Sequence, residues 1–214
     1  MLNYMDYLHL TKKSMENNRP TIIDFVEKYT HQFADHTYLR EKVDGQWKEI
    51  TQEQTRLTAH RIGAGLMALG LEKGDKIALL SESRSMWILA ELGALYAGAT
   101  DVPLSVNLGA DADLIFRIGH SEAKWILVSG NQLPKISKIL PQCPAVLKVI
   151  VFDDTAFDYD KLEEKEIRMS EVEKMGEAFL KDHEADFVAR YQSIGPDDYA
   201  NISYTSGTTA DPKG

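Results

Sequence analysis

The run Lys76-Ile77-Ala78-Leu79-Leu80, followed by Met86 to Ala97 and then by Thr100-Asp101-Val102-Pro103-Leu104, decides the fold class. Ile77 to Leu80 is short and continuously apolar, the pattern of a strand covered on both faces. Met86 to Ala97 is apolar nearly all round and too long for a strand, which predicts a helix buried between layers. A second short strand at 100–104 closes a strand-helix-strand unit, and such crossovers are right-handed and parallel.

The alternation continues outward from that unit. Trp125 to Val128, Val149 to Phe152 and Ala200 to Tyr204 read as further buried strands, with amphipathic helices over Asp111 to Gly119 and Leu133 to Leu140 between them. Ser170 with Glu173 has capping-box spacing and predicts a helix running toward Lys181. Upstream, Thr51 with Gln54 has the same spacing, and Ala59, Ile62, Leu66 and Leu69 recur at helical intervals, giving a helix over about 52–69. Asp44-Gly45 between Tyr38–Val43 and Gln46–Ile50 predicts a two-residue β-hairpin. The fold class is therefore α/β: a mostly parallel sheet flanked by helices, with a small hairpin near the N-terminus. One domain is expected over 1–214, divided into a helical preamble (1–37), the hairpin (38–50), the α/β core (51–204) and a terminal loop (205–214).

Composition narrows the function classes. The 214 residues are 43% apolar and 27% charged, with a net charge of −9 and a mean hydropathy of −0.30, as in globular proteins that live in water. No cluster of Lys and Arg suits a nucleic-acid backbone. No apolar run reaches the length of a transmembrane helix, and no signal peptide is visible, so a cytoplasmic location is expected, with peripheral membrane contact left open. Val151 to Arg190 holds thirteen acidic and six basic residues, most of the net charge, and reads as a solvated surface with a long loop at 153–168. Asp153, Asp154, Asp158 and Asp160 lack the glycine and terminal glutamate of a calcium loop. The single cysteine, Cys143, lies between prolines and reads as an inert thiol. The six histidines show no metal-site spacing, and His183 beside Glu184 reads as a solvated helix face.

Two glycine-bearing segments compete as phosphate sites. Gly63-Ala64-Gly65 resembles a dinucleotide loop in composition but sits in mid-helix with no strand before it. Small residues there serve close helix packing instead. The second segment, Thr205-Ser206-Gly207-Thr208-Thr209-Ala210-Asp211-Pro212-Lys213-Gly214, directly follows an apolar run ending at Tyr204. Such a turn gathers backbone N–H groups, hydroxyls and an ammonium around one point, as a polyphosphate requires. It is not a Walker A loop, because Pro212 precedes Lys213 and no hydroxyl follows it. No Gly-x-Ser-x-Gly elbow occurs, so Ser206 reads as a hydroxyl donor rather than a nucleophile. A free-standing, non-enzymatic α/β module that binds a nucleotide or a partner fits these features as well.

Tyr204 to Gly214 closely resembles the phosphate-loop signature of the adenylate-forming superfamily, which includes acyl-CoA synthetases, peptide-synthetase adenylation domains and luciferases. Leu69 to Ala78, Val102-Pro103-Leu104 and Asp44 to Thr51 are similar to segments of the same family, the last to its long-chain fatty-acid branch. The departure is Ala210, where the family usually carries glycine. At a positive φ, alanine there costs about 1 kcal/mol and stiffens the loop.

The resemblance implies an ATP-dependent ligase. A fatty carboxylate, or another carboxylate, is adenylated with release of pyrophosphate, and the thiol of coenzyme A then displaces AMP. It implies ATP, Mg2+ and coenzyme A as cofactors, and Thr205, Ser206, Gly207, Thr208, Thr209 and Lys213 as ligands of the β- and γ-phosphates. It also implies that the remaining ligand-binding segments lie beyond Gly214. The chain is accordingly expected to be an N-terminal fragment without catalytic residues of its own, inactive alone and frayed beyond about Thr205.

Overall fold

The computed structural model describes residues 19–109, 111–153, 164–205 and 213–214. Helix α1 (Ile22–Phe33) opens on a capping box in which Thr21 and Asp24 exchange hydrogen bonds. Strands β1 (Thr37–Val43) and β2 (Gln46–Thr51) form the expected antiparallel hairpin, with Val43 opposite Gln46. Its turn takes φ 50° at Asp44 and 78° at Gly45, a conformation that suits this residue pair. Helix α2 (Gln52–Ala68) follows at once. The Gln54 N–H donates to Thr51 Oγ1 at 3.2 Å and the Thr51 N–H to Gln54 Oε1 at 2.9 Å, completing the predicted box.

The core alternates as the sequence predicts: β3 (Lys76–Leu80), α3 (Ser85–Tyr96), β4 (Thr100–Leu104), α4 (Asp111–His120), β5 (Ala123–Val128), α5 (Leu133–Ile139) and β6 (Lys148–Val151). After the acidic stretch come β7 (Glu166–Arg168) and α6 (Met169–Gln192). All five strands of this sheet are parallel, in the order β4-β3-β5-β6-β7. The chain runs from β3 outward to β4, then returns to the other side of β3 with β5. One face of the sheet, bearing Ala78, Leu80, Ile126, Val128 and Val149, packs on α4 and α5 through Leu114, Ile118 and Ile136. The other, bearing Ile77, Leu79, Trp125, Leu127 and Ile150, packs on α2, α3 and α6 through Ile62, Leu66, Leu89 and Val172. No helix among the described residues is long and apolar enough to cross a membrane.

Gly63 and Gly65 lie inside α2 and serve helix packing. A Cβ built on Gly65 would overlap the Val172 carbonyl oxygen of α6, and one built on Gly176 the Arg61 carbonyl oxygen of α2. The backbones of α2 and α6 touch there, which only glycine permits.

Four expectations need correction. The Ser170/Glu173 capping box does not form: α6 starts at Met169 with Arg168 as its N-cap, and Glu173 pairs instead with Arg61 at 3.3 Å. That helix also continues past Lys181 to Gln192, with a non-helical His183 (φ −131°, ψ 27°) inside it. Ala200 to Tyr204 is not a full strand; it meets the edge of β4 in one parallel bridge, Asn201 to Asp101. The acidic stretch is not loop throughout, since Glu166–Arg168 pairs with β6. Asp154, Asp158 and Asp160, like the first eighteen residues of the preamble, lie outside the described residues.

Candidate functional site

The segment entering the terminal loop is fixed at three points. First, it is laced to β4: the Asp101 N–H donates to the Ala200 carbonyl at 2.9 Å and the Ile202 N–H to the Asp101 carbonyl at 2.8 Å. The Thr100 hydroxyl adds a bond to the Tyr199 carbonyl at 3.0 Å. Second, the Tyr204 ring lies against the last turn of α4, where its hydroxyl is 2.7 Å from His120 Nδ1 and the Arg117 guanidinium sits 5.8 Å from the ring centroid. Third, the Thr205 N–H donates to the Lys213 carbonyl at 3.0 Å, so the two stems of the loop close on each other.

Of the residues expected to hold phosphate, the structure thus brings Thr205 and Lys213 together at the mouth of the loop, both exposed. Ser206, Gly207, Thr208 and Thr209 lie outside the described residues, as does Ala210, and with them the expectation of fraying beyond Thr205.

Asp101 was not singled out by sequence reasoning. Its side chain is fully buried, Oδ1 has no hydrogen-bond partner, and Oδ2 receives the Asn201 amide at 3.4 Å, with the Val102 N–H also favouring the charged form. Burial, reinforced by the nearby Glu91 carboxylate, pushes the carboxyl up to about 8. An acid inside the apolar run 100–104 was the available signal.

A second polar cluster lies at the carboxyl ends of β3, β5 and β6, where open parallel sheets place ligands when the strand order reverses. Glu82 accepts bonds from the Ser129 hydroxyl and the Gln132 amide, both at 2.6 Å. Burial raises this carboxyl, but those two bonds outweigh it and hold the group below its usual range. Asp153 accepts from Arg84 and from the Gly130 N–H, each at 2.7 Å. Both Asp153 oxygens are thus engaged in a clip between Arg84 and Gly130, whereas Gln132 Oε1 is buried without a partner. The polar residue following each strand was the signal for this cluster.

No group of three or more His, Cys, Asp or Glu side chains that could hold a metal gathers among the described residues. His183 pairs with Asp186 at 3.0 Å on an exposed helix face. Cys143 is buried, which pushes its thiol up. A cavity of about 410 Å3 opens between the start of α1 and the segment 194–200. Its cations, Arg19 and Lys73, are already paired with Asp197 and Asp198 at 2.8 Å.

Comparison with known proteins joins this geometry to a family. The chain is 33% identical over 176 residues to fatty acyl-CoA synthetase A of Dictyostelium discoideum, covering 79% of this chain and 25% of that protein. It is 29% identical over 201 residues to long chain acyl-CoA synthetase 6, peroxisomal, of Arabidopsis thaliana, covering 91% and 28%. The chain therefore spans about a quarter of the length of these relatives. The crystal structure of the anthranilate CoA ligase AuaEII in complex with anthranoyl-AMP superposes with a TM-score of 0.67 at 19% identity, over 89% of this chain and 33% of that one. Residues 26–214, which include the hairpin, the parallel sheet and the closed loop, match the AMP-binding enzyme family, and the chain belongs to it.

Proposed function

We propose that the protein carrying this chain is an ATP-dependent ligase that joins a long-chain fatty acid to coenzyme A. The carboxylate attacks the α-phosphate of ATP and pyrophosphate leaves; the coenzyme A thiol then attacks the acyl-adenylate carbonyl and AMP leaves. In this reading Thr205, Ser206, Gly207, Thr208, Thr209 and Lys213 bind the β- and γ-phosphates. Their work is to align and stabilise the leaving pyrophosphate, not to move a proton. The observation that carries the reading is the closed base of the loop. The Thr205 N–H bonded to the Lys213 carbonyl brings the two ends of the hydroxyl-rich tract together.

The fatty-acid substrate class is supported by the names of the two relatives above, at 33% and 29% identity.

Exchange of labelled pyrophosphate into ATP, dependent on added fatty acid, tests the reading. Replacing Lys213 and Thr208 together by alanine is expected to slow that exchange by roughly 100-fold, as loss of charge-stabilising donors does in other active sites. Undiminished exchange in the double variant removes the loop from the reaction. Exchange with aromatic acids only would move the substrate class away from fatty acids.

A further inference from the structure

We propose that Tyr204 and His120 form a strut that sets the mouth of the terminal loop, making His120 of α4 a positioning residue for nucleotide phosphate. The inference rests on the phosphate reading of the loop given above and adds to it a residue that lies outside the loop.

Both stems of the loop rest on one aromatic ring. Tyr204 immediately precedes Thr205 on the entering stem. On the returning stem, Gly214 lies so close to that ring that a Cβ there would stand 2.8 Å from Cζ and 2.9 Å from Cε1 of Tyr204. The ring is therefore the floor under the Thr205–Lys213 bridge, and wherever it goes both stems follow.

The ring is in turn fixed from α4. Its hydroxyl is 2.7 Å from His120 Nδ1 and 3.4 Å from the Arg117 carbonyl, and the two rings meet edge to face with centroids 5.7 Å apart. His120 is held on its other side by Phe116, stacked at 5.3 Å with an interplanar angle of 21°. Arg117, over the Tyr204 ring, is buried and bonded to the Asp113 carbonyl at 2.9 Å. A solvent-facing histidine gains little stability from such an arrangement. What the arrangement fixes is the position of a ring one residue away from a phosphate ligand, and a small shift in such a group weakens alignment of the leaving pyrophosphate.

The test is steady-state kinetics of the complete ligase with ATP and fatty acid varied separately. Tyr204→Phe and His120→Ala are each expected to raise the KM for ATP by roughly three- to ten-fold, the worth of one hydrogen bond. The KM for the fatty acid and the melting temperature stay at wild-type values. The double variant falls well short of the product of the two single effects, because the bond they share is lost only once, although Tyr204→Phe also gives up the contact with the Arg117 carbonyl. His120→Asn, which can restore a partner near the place of Nδ1, recovers most of the loss.

Effects that multiply in the double variant, or that fall equally on both substrates, overturn the strut. Lys213→Ala is measured alongside. If it raises the ATP KM while Tyr204→Phe and His120→Ala do not, the strut alone fails. If Lys213→Ala has no effect, the phosphate reading fails and takes the strut with it.

Discussion

At the scale of single residues, two buried carboxyls show how surroundings decide charge. Glu27 of α1 is 3% exposed, yet its carboxylate is held below the usual range. Burial raises it, but hydrogen bonds with His60 at 2.8 Å and Tyr96 at 2.6 Å, with Arg56 at 3.9 Å, outweigh that. Asp101 meets the same desolvation with weaker support, the Val102 N–H and a long bond from Asn201, against a like charge at Glu91, and goes the other way. The folded chain therefore keeps the Asp101 proton from its ordinary value of 3.8 up to about 8, while the unfolded chain releases it. Stability from this group is full below the ordinary value and is lost as pH rises through that window, by at most about 1.4 kcal/mol per pH unit. Asp101→Asn keeps the acceptor for Asn201 and removes the titration. Its stability relative to wild type, measured by urea unfolding at pH 5, 6.5 and 8, is expected to rise steadily with pH. A pH-independent difference would show that Asp101 is ionised in the native protein.

At the scale of elements, the contact between α2 and α6 is the most demanding in the molecule, because it is made by backbones. Gly176→Ala places a methyl group into the Arg61 carbonyl and forces the helices apart, which is expected to cost about 3 kcal/mol in urea unfolding. Gly119→Ala in α4 meets nothing within 4 Å and should be neutral or slightly stabilising. Equal effects at the two positions would remove close packing as the reason for the glycines. The elements legible in the sequence were those whose signal is local: the Asp44-Gly45 turn, the Thr51/Gln54 box, and the apolar runs of β3, β5 and β6. Three-residue β7 was missed because Glu166–Arg168 carries two charges and earns its place only by pairing with β6. Ser170 and Glu173 matched a capping box in spacing alone, since the burial of Met169 starts the helix earlier. In the candidate site, the loop was legible as a contiguous motif. Its supports were not, because His120 and Asp101 meet their partners across 84 and 100 residues of chain.

At the scale of the whole molecule, stability is concentrated where the strands are covered on both faces. Ile77 to Leu80 and Ile126 to Val128 are fully buried in the middle of the five-stranded sheet, between α4 and α5 on one side and α2, α3 and α6 on the other. The β1–β2 hairpin stands outside that sheet. Most of its residues are exposed, and it reaches the core mainly through Leu39 and Ile50. Opening the hairpin uncovers little apolar surface, whereas opening β3 or β5 dismantles both layers at once. Amides of the central strands should therefore exchange only by global unfolding, and those of the hairpin by local opening. Native-state hydrogen exchange is expected to find Ala78 to Leu80 and Ile126 to Val128 at least roughly 100-fold slower than Arg40 to Lys48. The bridge from Asn201 to the edge of β4 belongs to the intermediate class, as a single lacing on a buried strand. If the hairpin were as protected as β5, it would have to be part of the same cooperative unit.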